Sequence, residues 1–274
     1  MATMNRVRLV GFLREDPIVE RPNVPGMEKV IMTIRTIRRP LEGYRGSMTE
    51  DVLLLYDQEE LMPRIKRLKK WDLIDLTGVF NILSVGKQAL CPACHTVTVK
   101  QGGTITFVYP IHLVKVNSLW KTNDEGEMAP EEVLKRHYQE VSNEINLIGT
   151  VDNDPEIVTA MKNVLCCRYR LRVDRQYLIK TQQTQKIDFP WVYSYATQAD
   201  RDIKYLRRGS VVLVRAFIRT RSVKSTIRCE NEECGEMVTY NDVATEFIPY
   251  SVEYLREFET DESLAAKKYL ENMQ

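Results

Sequence analysis

The chain has 274 residues, 39 Lys and Arg against 38 Asp and Glu, and a formal net charge of +1. Its 43% hydrophobic and 28% charged residues suit a soluble globular protein of one large domain or two of about 100 to 140 residues. This composition excludes disordered, collagenous and globally basic nucleic-acid-binding chains, and no stretch reaches the roughly 18 to 20 apolar residues of a membrane span. The first six residues lack the basic and then apolar layout of a signal peptide. The expectation is a cytoplasmic protein without membrane attachment, in which any nucleic-acid contact uses local patches.

The elements read in chain order as mostly β. Arg6 to Leu13 is short and β-branched, and runs into Glu15-Asp-Pro17, a turn signal. From Lys29, Val30, Met32 and Ile34 alternate with Ile31, Thr33 and Arg35, a strand with one wetter face. Asp51 to Tyr56 is a third strand. Gln58 to Lys70 places Leu61, Ile65 and Leu68 at helical spacing. Leu73 to Phe80 is a fourth strand, and Thr104–Val108 and Ile111–Val116 supply the last β material. Met128 to Ser142 reads as a helix, with Pro130 near its start and Glu131 and Glu132 in its first turn. Strands then follow at Glu144–Val151, Val164–Arg175, Trp191–Tyr195, Ser210–Thr220 and Thr245–Tyr250, with a helix over Gln198–Leu206. From Val252 onward, Tyr254, Leu255, Phe258, Leu264, Tyr269 and Leu270 suggest a helical tail.

The two halves are one unit written twice. Gly11, Asp16 and Pro17 match Gly149, Asp154 and Pro155, each at an offset of 138. The same offset carries Leu68-Lys69-Lys70 onto Leu206-Arg207-Arg208, and Cys91 onto Cys229. It carries Val79-Phe80 onto Phe217-Ile218 with one side chain out of step. A constant frame over so long a stretch argues for internal duplication. Charge follows the division: net +5 over residues 4–116 and +2 over 143–252, but −3 over both 117–142 and 253–274. The predicted organisation is a first repeat at 1–117, an acidic helical connector at 118–142, a second repeat at 143–252 and an acidic helical tail at 253–274.

Five strands with one helix between the third and fourth is the layout of an OB-fold, a partly open Greek-key barrel. The fold class expected is therefore all-β with minor α: two tandem five-stranded barrels.

Asn5-Arg-Val-Arg-Leu-Val-Gly-Phe-Leu-Arg-Glu-Asp-Pro17 and Asn143-Glu-Ile-Asn-Leu-Ile-Gly-Thr-Val-Asp-Asn-Asp-Pro155 resemble the opening strand of bacterial single-stranded DNA-binding proteins. The second repeat continues the resemblance through Arg168–Arg175, Trp191, Tyr205-Leu-Arg-Arg-Gly-Ser-Val-Val-Leu-Val214 and Thr220-Arg221. The first repeat follows less closely after its start. The connector and tail lie outside the resemblance, and the glycine-rich tail with an acidic-aromatic tip is missing. The resemblance implies a strand-coating role in replication, recombination or mobile-element transfer. It also implies a homo-oligomer, two chains supplying four barrels. The acidic amphipathic connector and tail read either as packing across the barrels or as sites for oligomerisation or for docking a replication or recombination protein.

Binding a single strand without sequence readout needs aromatic faces for bases and Lys or Arg for phosphates. Trp191, Tyr193 and Tyr195 alternate along one strand and so share a face. Arg168, Arg170 and Arg172 alternate along its expected neighbour, and Arg215, Arg219, Arg221 and Lys224 extend the basic surface. The offset puts Leu53 and Leu55 where the second repeat has Trp191 and Tyr193, leaving Arg35, Arg38, Arg39 and Arg45 for phosphates. The expectation is unequal barrels, the second the better binder and the first serving in assembly. Read blandly, the aromatics are barrel core and the arginines a solvated face.

Cys91-Pro-Ala-Cys94 and Cys229-Glu-Asn-Glu-Glu-Cys234 have gaps allowed for zinc-ligand pairs, each at the tip of the hairpin between fourth and fifth strands. The two pairs share one structural zinc if the repeats pack about a pseudo-twofold axis. Otherwise each hairpin holds its own ion, or the thiols stay reduced and unliganded. Cys166-Cys167 are adjacent in a strand, point to opposite faces and cannot chelate together. No paired carboxylates with a metal-binding His, phosphate-cradling Gly loop or nucleophile constellation is present, so an enzyme is not expected. The alternative to strand coating is an OB-fold adaptor that binds protein within a larger nucleic-acid machine.

Overall fold

The computed structural model describes residues 3–20, 28–116, 129–158, 164–175, 177 and 185–256. The first half contains β1 (Met4–Leu13), β2 (Ile18–Glu20), β3 (Lys29–Ile37), β4 (Thr49–Tyr56), α1 (Met62–Ile65), β5 (Leu73–Leu90) and β6 (Val97–Lys115). The short helix α2 (Pro130–His137) follows. The second half contains β7 (Asn143–Val151), β8 (Glu156–Val158), β9 (Cys166–Asp174), β10 (Ile187–Asp188), β11 (Trp191–Tyr195), α3 (Ala196–Tyr205), β12 (Val211–Arg228) and β13 (Met237–Arg256).

Each half closes a five-stranded barrel. In the first, β1 pairs β5, β5 pairs β6, β6 lies parallel to β4, and β3 links β4 back to β1. In the second, β7, β12, β13, β11 and β9 close in the same order. The registers match at the 138 offset: Val7 faces Gly78, and Ile145 faces Ala216. Alternation buries one face of each strand, as in Val30, Met32 and Ile34 of β3 and Tyr169, Leu171 and Val173 of β9.

The shared signature residues have structural work in both barrels. Asn5 receives the Phe80 N–H and donates to the Phe80 carbonyl, at 3.0 and 2.9 Å. Asn143 does the same with Ile218, at 2.9 Å each way. Asp16 accepts the Lys70 N–H and Asp154 the Arg208 N–H, both at 2.8 Å. Gly11 is where β1 leaves β5 for β3, and a Cβ there would lie 2.2 Å from the Arg35 carbonyl oxygen. Only glycine allows that approach.

The barrels join along β1 and β7, which pair antiparallel from Met4↔Ile148 to Leu9↔Asn143. A pseudo-twofold axis results, and the apolar core runs through the seam. Two further contacts follow the same axis. Asp188 accepts the Ile82 N–H at 2.8 Å, and Glu50 accepts the Thr220 N–H at 2.9 Å. Asp188 is fully buried and ion-paired to the equally buried Arg175.

Several elements differ from the sequence expectation. The helix over 58–70 is a single turn: Pro63, tolerated only in a first turn, fixes its start, and from Arg67 the backbone closes tighter i→i−3 bonds to Arg64 and Ile65 instead of continuing it. Leu61, Ile65 and Leu68 are nonetheless buried. The fourth and fifth strands of each barrel run far past their expected ends, as long hairpin arms. The polar and glycine-containing stretches that read as loops, such as Gly86 with its register shift between Val85 and Lys87, lie inside these ladders. The connector helix spans only Pro130–His137, and residues 252–256 complete β13 instead of starting a helix. The remainder of the tail, 257–274, lies outside the described residues, as does 117–128 of the connector.

Candidate nucleic-acid interface and metal centre

β11 and β9 set the aromatic and basic rows side by side. Trp191 faces Arg170 and Tyr193 faces Arg168 across the ladder. Val192 and Tyr169 point into the barrel, so the odd positions of β11 and the even positions of β9 point outward. The Arg168 guanidinium lies 5.1 Å from the Trp191 ring centre and the Arg170 guanidinium 5.9 Å away, within cation–π range. Acids hold both arginines in place. Glu156 pairs with Arg168 at 2.8 Å, and Asp152 pairs with Arg170. Arg172 continues the row, half-exposed.

Trp191, Tyr193, Arg170 and Arg221 line one cleft of about 390 Å³. The other predicted residues lie elsewhere. Tyr195 packs edge-on to Tyr44 of the first barrel at 5.0 Å. Arg219 is mostly buried between Glu246, the Tyr195 hydroxyl and the Tyr44 ring. Arg215 is exposed but opposite Asn146, near the seam. Lys224 is exposed on the arm formed by β12 and β13.

The first barrel's arginines are largely committed internally. Arg35 makes a two-pronged bond to Asp51 at 2.8 Å and a further one to Glu131 at 3.0 Å. Arg38 is 2% exposed and donates to the carbonyls of Ser47, Arg39 and Gly46. That burial keeps it from the surface position expected of it. Arg39 lies over the Tyr250 ring at 4.1 Å and 3.5 Å from Glu140. The Arg38 bonds hold the β3–β4 loop, which folds across the second barrel and seats Tyr44 against Phe217 at 5.5 Å.

The arms bring the cysteine pairs together. Lys87 of one arm pairs with Asp242 of the other at 2.7 Å, and Glu230 accepts the Val99 N–H. At the tips, Cys91 Sγ lies 3.8 Å from Cys234 Sγ, and Cys94 Sγ lies 3.5 Å from Cys229 Sγ. All four sulfurs fall within 4.8 Å of one another. Thiolates about 2.3 Å from a tetrahedral zinc stand roughly 3.8 Å apart, so the set fits one ion. Hydrogen bonds to Thr96 pull the Cys94 thiol down to about 6, while the neighbouring thiols push Cys234 up to about 12. Cys166 and Cys167 are both buried and separate from this cluster.

Residues 142–235, which contain this aromatic and basic surface, match the sequence profile of the Single-strand binding protein family. The match covers the second repeat, which is similar to that family. The chain is similar to Single-stranded DNA-binding protein 1 of Staphylococcus aureus strain MSSA476 and to the single-stranded DNA-binding protein of strain MW2. Each is 29% identical over 117 residues, spanning 43% of this chain and 67% of the relative. The fold is also that of two crystal structures of the single-stranded DNA binding protein from Thermus aquaticus. For the wild type the TM-score is 0.61 at 13% identity, covering 95% of this chain and 97% of that one. A deletion mutant gives 0.61 at 14% identity, covering 95% and 98%. The family profile falls on the barrel that carries Trp191, while the fold likeness extends over both.

Sequence reasoning missed Phe189. It is 40% exposed, and the Arg170 guanidinium lies 5.3 Å from its ring centre. The signal was present, since Phe189, Trp191 and Tyr193 share one alternation, but Pro190 interrupts the strand pattern.

Proposed function

We propose that the protein binds single-stranded DNA and coats it, in replication, recombination or the transfer of a mobile element. The observation that carries this reading is the union of Trp191 with Arg168 and Arg170 on the outer face of a barrel whose sequence matches the family. An indole supplies a stacking face for any base, and the arginines beside it supply charge for phosphates. Arg172, Arg221 and Lys224 extend the cationic path. The protein acts by binding, without a catalytic step. The first barrel serves in assembly: its Arg35 and Arg38 are engaged within the protein, and Leu53 replaces the indole. Two chains associate, bringing four barrels to one strand.

Cys91, Cys94, Cys229 and Cys234 hold one structural zinc ion. Four thiolates leave no open coordination position, so the ion ties the arms together and activates no water.

The test is fluorescence anisotropy of labelled oligo-dT at two salt concentrations, with a duplex in parallel. Tight, salt-sensitive binding that prefers the single strand and weakens in Trp191→Ala is expected. Absence of binding at low salt would overturn the reading and leave a protein-docking adaptor. Light scattering reads the oligomeric state, and atomic emission reads the metal content.

A further inference from the structure

We infer that each chain has a single composite base-binding slot. Phe189, Arg170 and Trp191 of the second barrel wall one side, and the arm of the first barrel walls the other. The inference deepens the single-strand-binding reading and rests on it.

Three observations carry it. First, the Arg170 guanidinium lies between two aromatic rings, 5.3 Å from Phe189 and 5.9 Å from Trp191. Phe189 is among the exposed large apolar side chains and sits in the concave surface next to that cation. A half-exposed ring beside a cation is a stacking platform for a nucleobase, and every base has a π face to meet it.

Second, the opposite wall belongs to the other half of the chain. Ser84 of β5 and Thr104 and Thr106 of β6 line the same cleft. Their hydroxyls both donate and accept, so they can meet base edges or phosphate oxygens without selecting a sequence. At about 390 Å³ the cleft falls toward the small end of the roughly 300–1,000 Å³ range of small-ligand sites.

Third, the pseudo-symmetric cleft shares Thr104 and Thr106 but lacks the two rings and the arginine between them. It encloses about 300 Å³ between the first barrel and the arm of the second. Leu53 stands there in place of Trp191, and Asp51 in place of Phe189. The cross-strand partner of Leu53 is Thr33, where Trp191 has Arg170. Asp51 is held by Arg35 at 2.8 Å and Arg14 at 3.4 Å, much as Glu246 is held by Arg221 at 2.6 Å in the other cleft, so the two clefts differ in their rings and in Arg170.

The experiment titrates short labelled oligo-dT into the full chain and its variants, with thermal unfolding as the control for folding. Phe189→Ala should weaken binding by about 5- to 150-fold, the ~1–3 kcal/mol of one base stack. Phe189→Tyr should bind close to wild type. Thr104→Glu should weaken binding although it lies in the first barrel's arm, and Leu53→Ala should leave it unchanged. Saturation should come at one short oligonucleotide per chain. Wild-type affinity in Phe189→Ala and Thr104→Glu, with Trp191→Ala still weak, would overturn the composite slot and leave the single-strand reading standing. Two oligonucleotides per chain would also overturn it. If the unmodified chain binds no single strand at low salt, both readings fall.

Discussion

Val7 faces Ile145 across the β1–β7 ladder, and these two residues are each other's equivalents at the 138 offset. The register is symmetric about that pair: Met4 faces Ile148 on one side of it, and Val10 would face Ser142 on the other. Both residues are fully buried. The seam between the barrels therefore belongs to the core.

Ile145→Ala should destabilise the whole chain by about 2–5 kcal/mol, the range for a buried Ile cut to Ala. Combining it with Val7→Ala should give a non-additive loss, because the two positions are neighbours. Urea unfolding measures both. Loss of one barrel's signal ahead of the other would show that the seam does not couple them.

The paired contacts on Ile82 and Thr220 differ in one respect that pH can read. Asp188 has Arg175 as a buried ion-pair partner. Glu50 has the Thr220 N–H and hydroxyl, with Arg38 and Arg219 contributing charge. Burial pushes the Glu50 carboxyl up to about 7, against these contacts. A carboxyl raised in the folded state resists ionisation that the unfolded chain undergoes freely. Stability is thus full below about pH 4.5 and falls as pH rises through 7, by about 3 kcal/mol at most. Glu50→Gln should flatten this decline. Melting temperatures of both proteins at about pH 5 and about pH 8 test it, and equal slopes would count against it.

Salt dependence separates phosphate contacts from stacking. Arg172→Ala and Lys224→Ala should each lower the slope of log affinity against log salt by about 0.7. Trp191→Ala should reduce affinity with little change in slope. Oligo-dT titrations across a salt series distinguish the two behaviours.

Metal content tests the tip of the arms. One zinc per chain is expected, and Cys234→Ser should abolish tight binding of that ion, since removing one thiolate breaks a closed tetrahedral set. Cys166→Ser should leave the content unchanged, because that residue lies outside the cluster. Chelation should lower the melting temperature of the wild type and have little effect on Cys234→Ser. Two ions per chain would overturn the shared site.

Much of the barrel architecture was legible in the sequence because alternation and turn residues are local signals. The repeated Gly and Asp-Pro stood out for a physical reason: Gly11 and Gly149 sit under a neighbouring carbonyl, and Asp16 and Asp154 accept a distant backbone N–H. The length of the arms was not legible. Their strands use Lys87, Gln88, Thr98 and Asn241, which read as loop; each arm pairs within its own hairpin and is braced against the other arm by contacts such as Lys87 with Asp242. The fates of Arg35 and Arg38 were also hidden. A sequence shows that an arginine is present, but not that Asp51 or a carbonyl cluster has already engaged it. The cysteine pairs were readable as pairs, and their meeting followed once the axis was granted.

The asymmetry between Trp191 and Leu53 has a consequence for how such a molecule can change. In an assembly of identical single-barrel subunits, every substitution appears in every copy, so a face cannot be kept in one subunit and surrendered in the next. Joining two barrels in one chain removes that constraint. One side can keep its indole and its cations while the other turns the same positions over to holding the molecule together. The covalent link also makes the seam independent of protein concentration. Dilution that would separate a pair of subunits leaves these barrels facing each other.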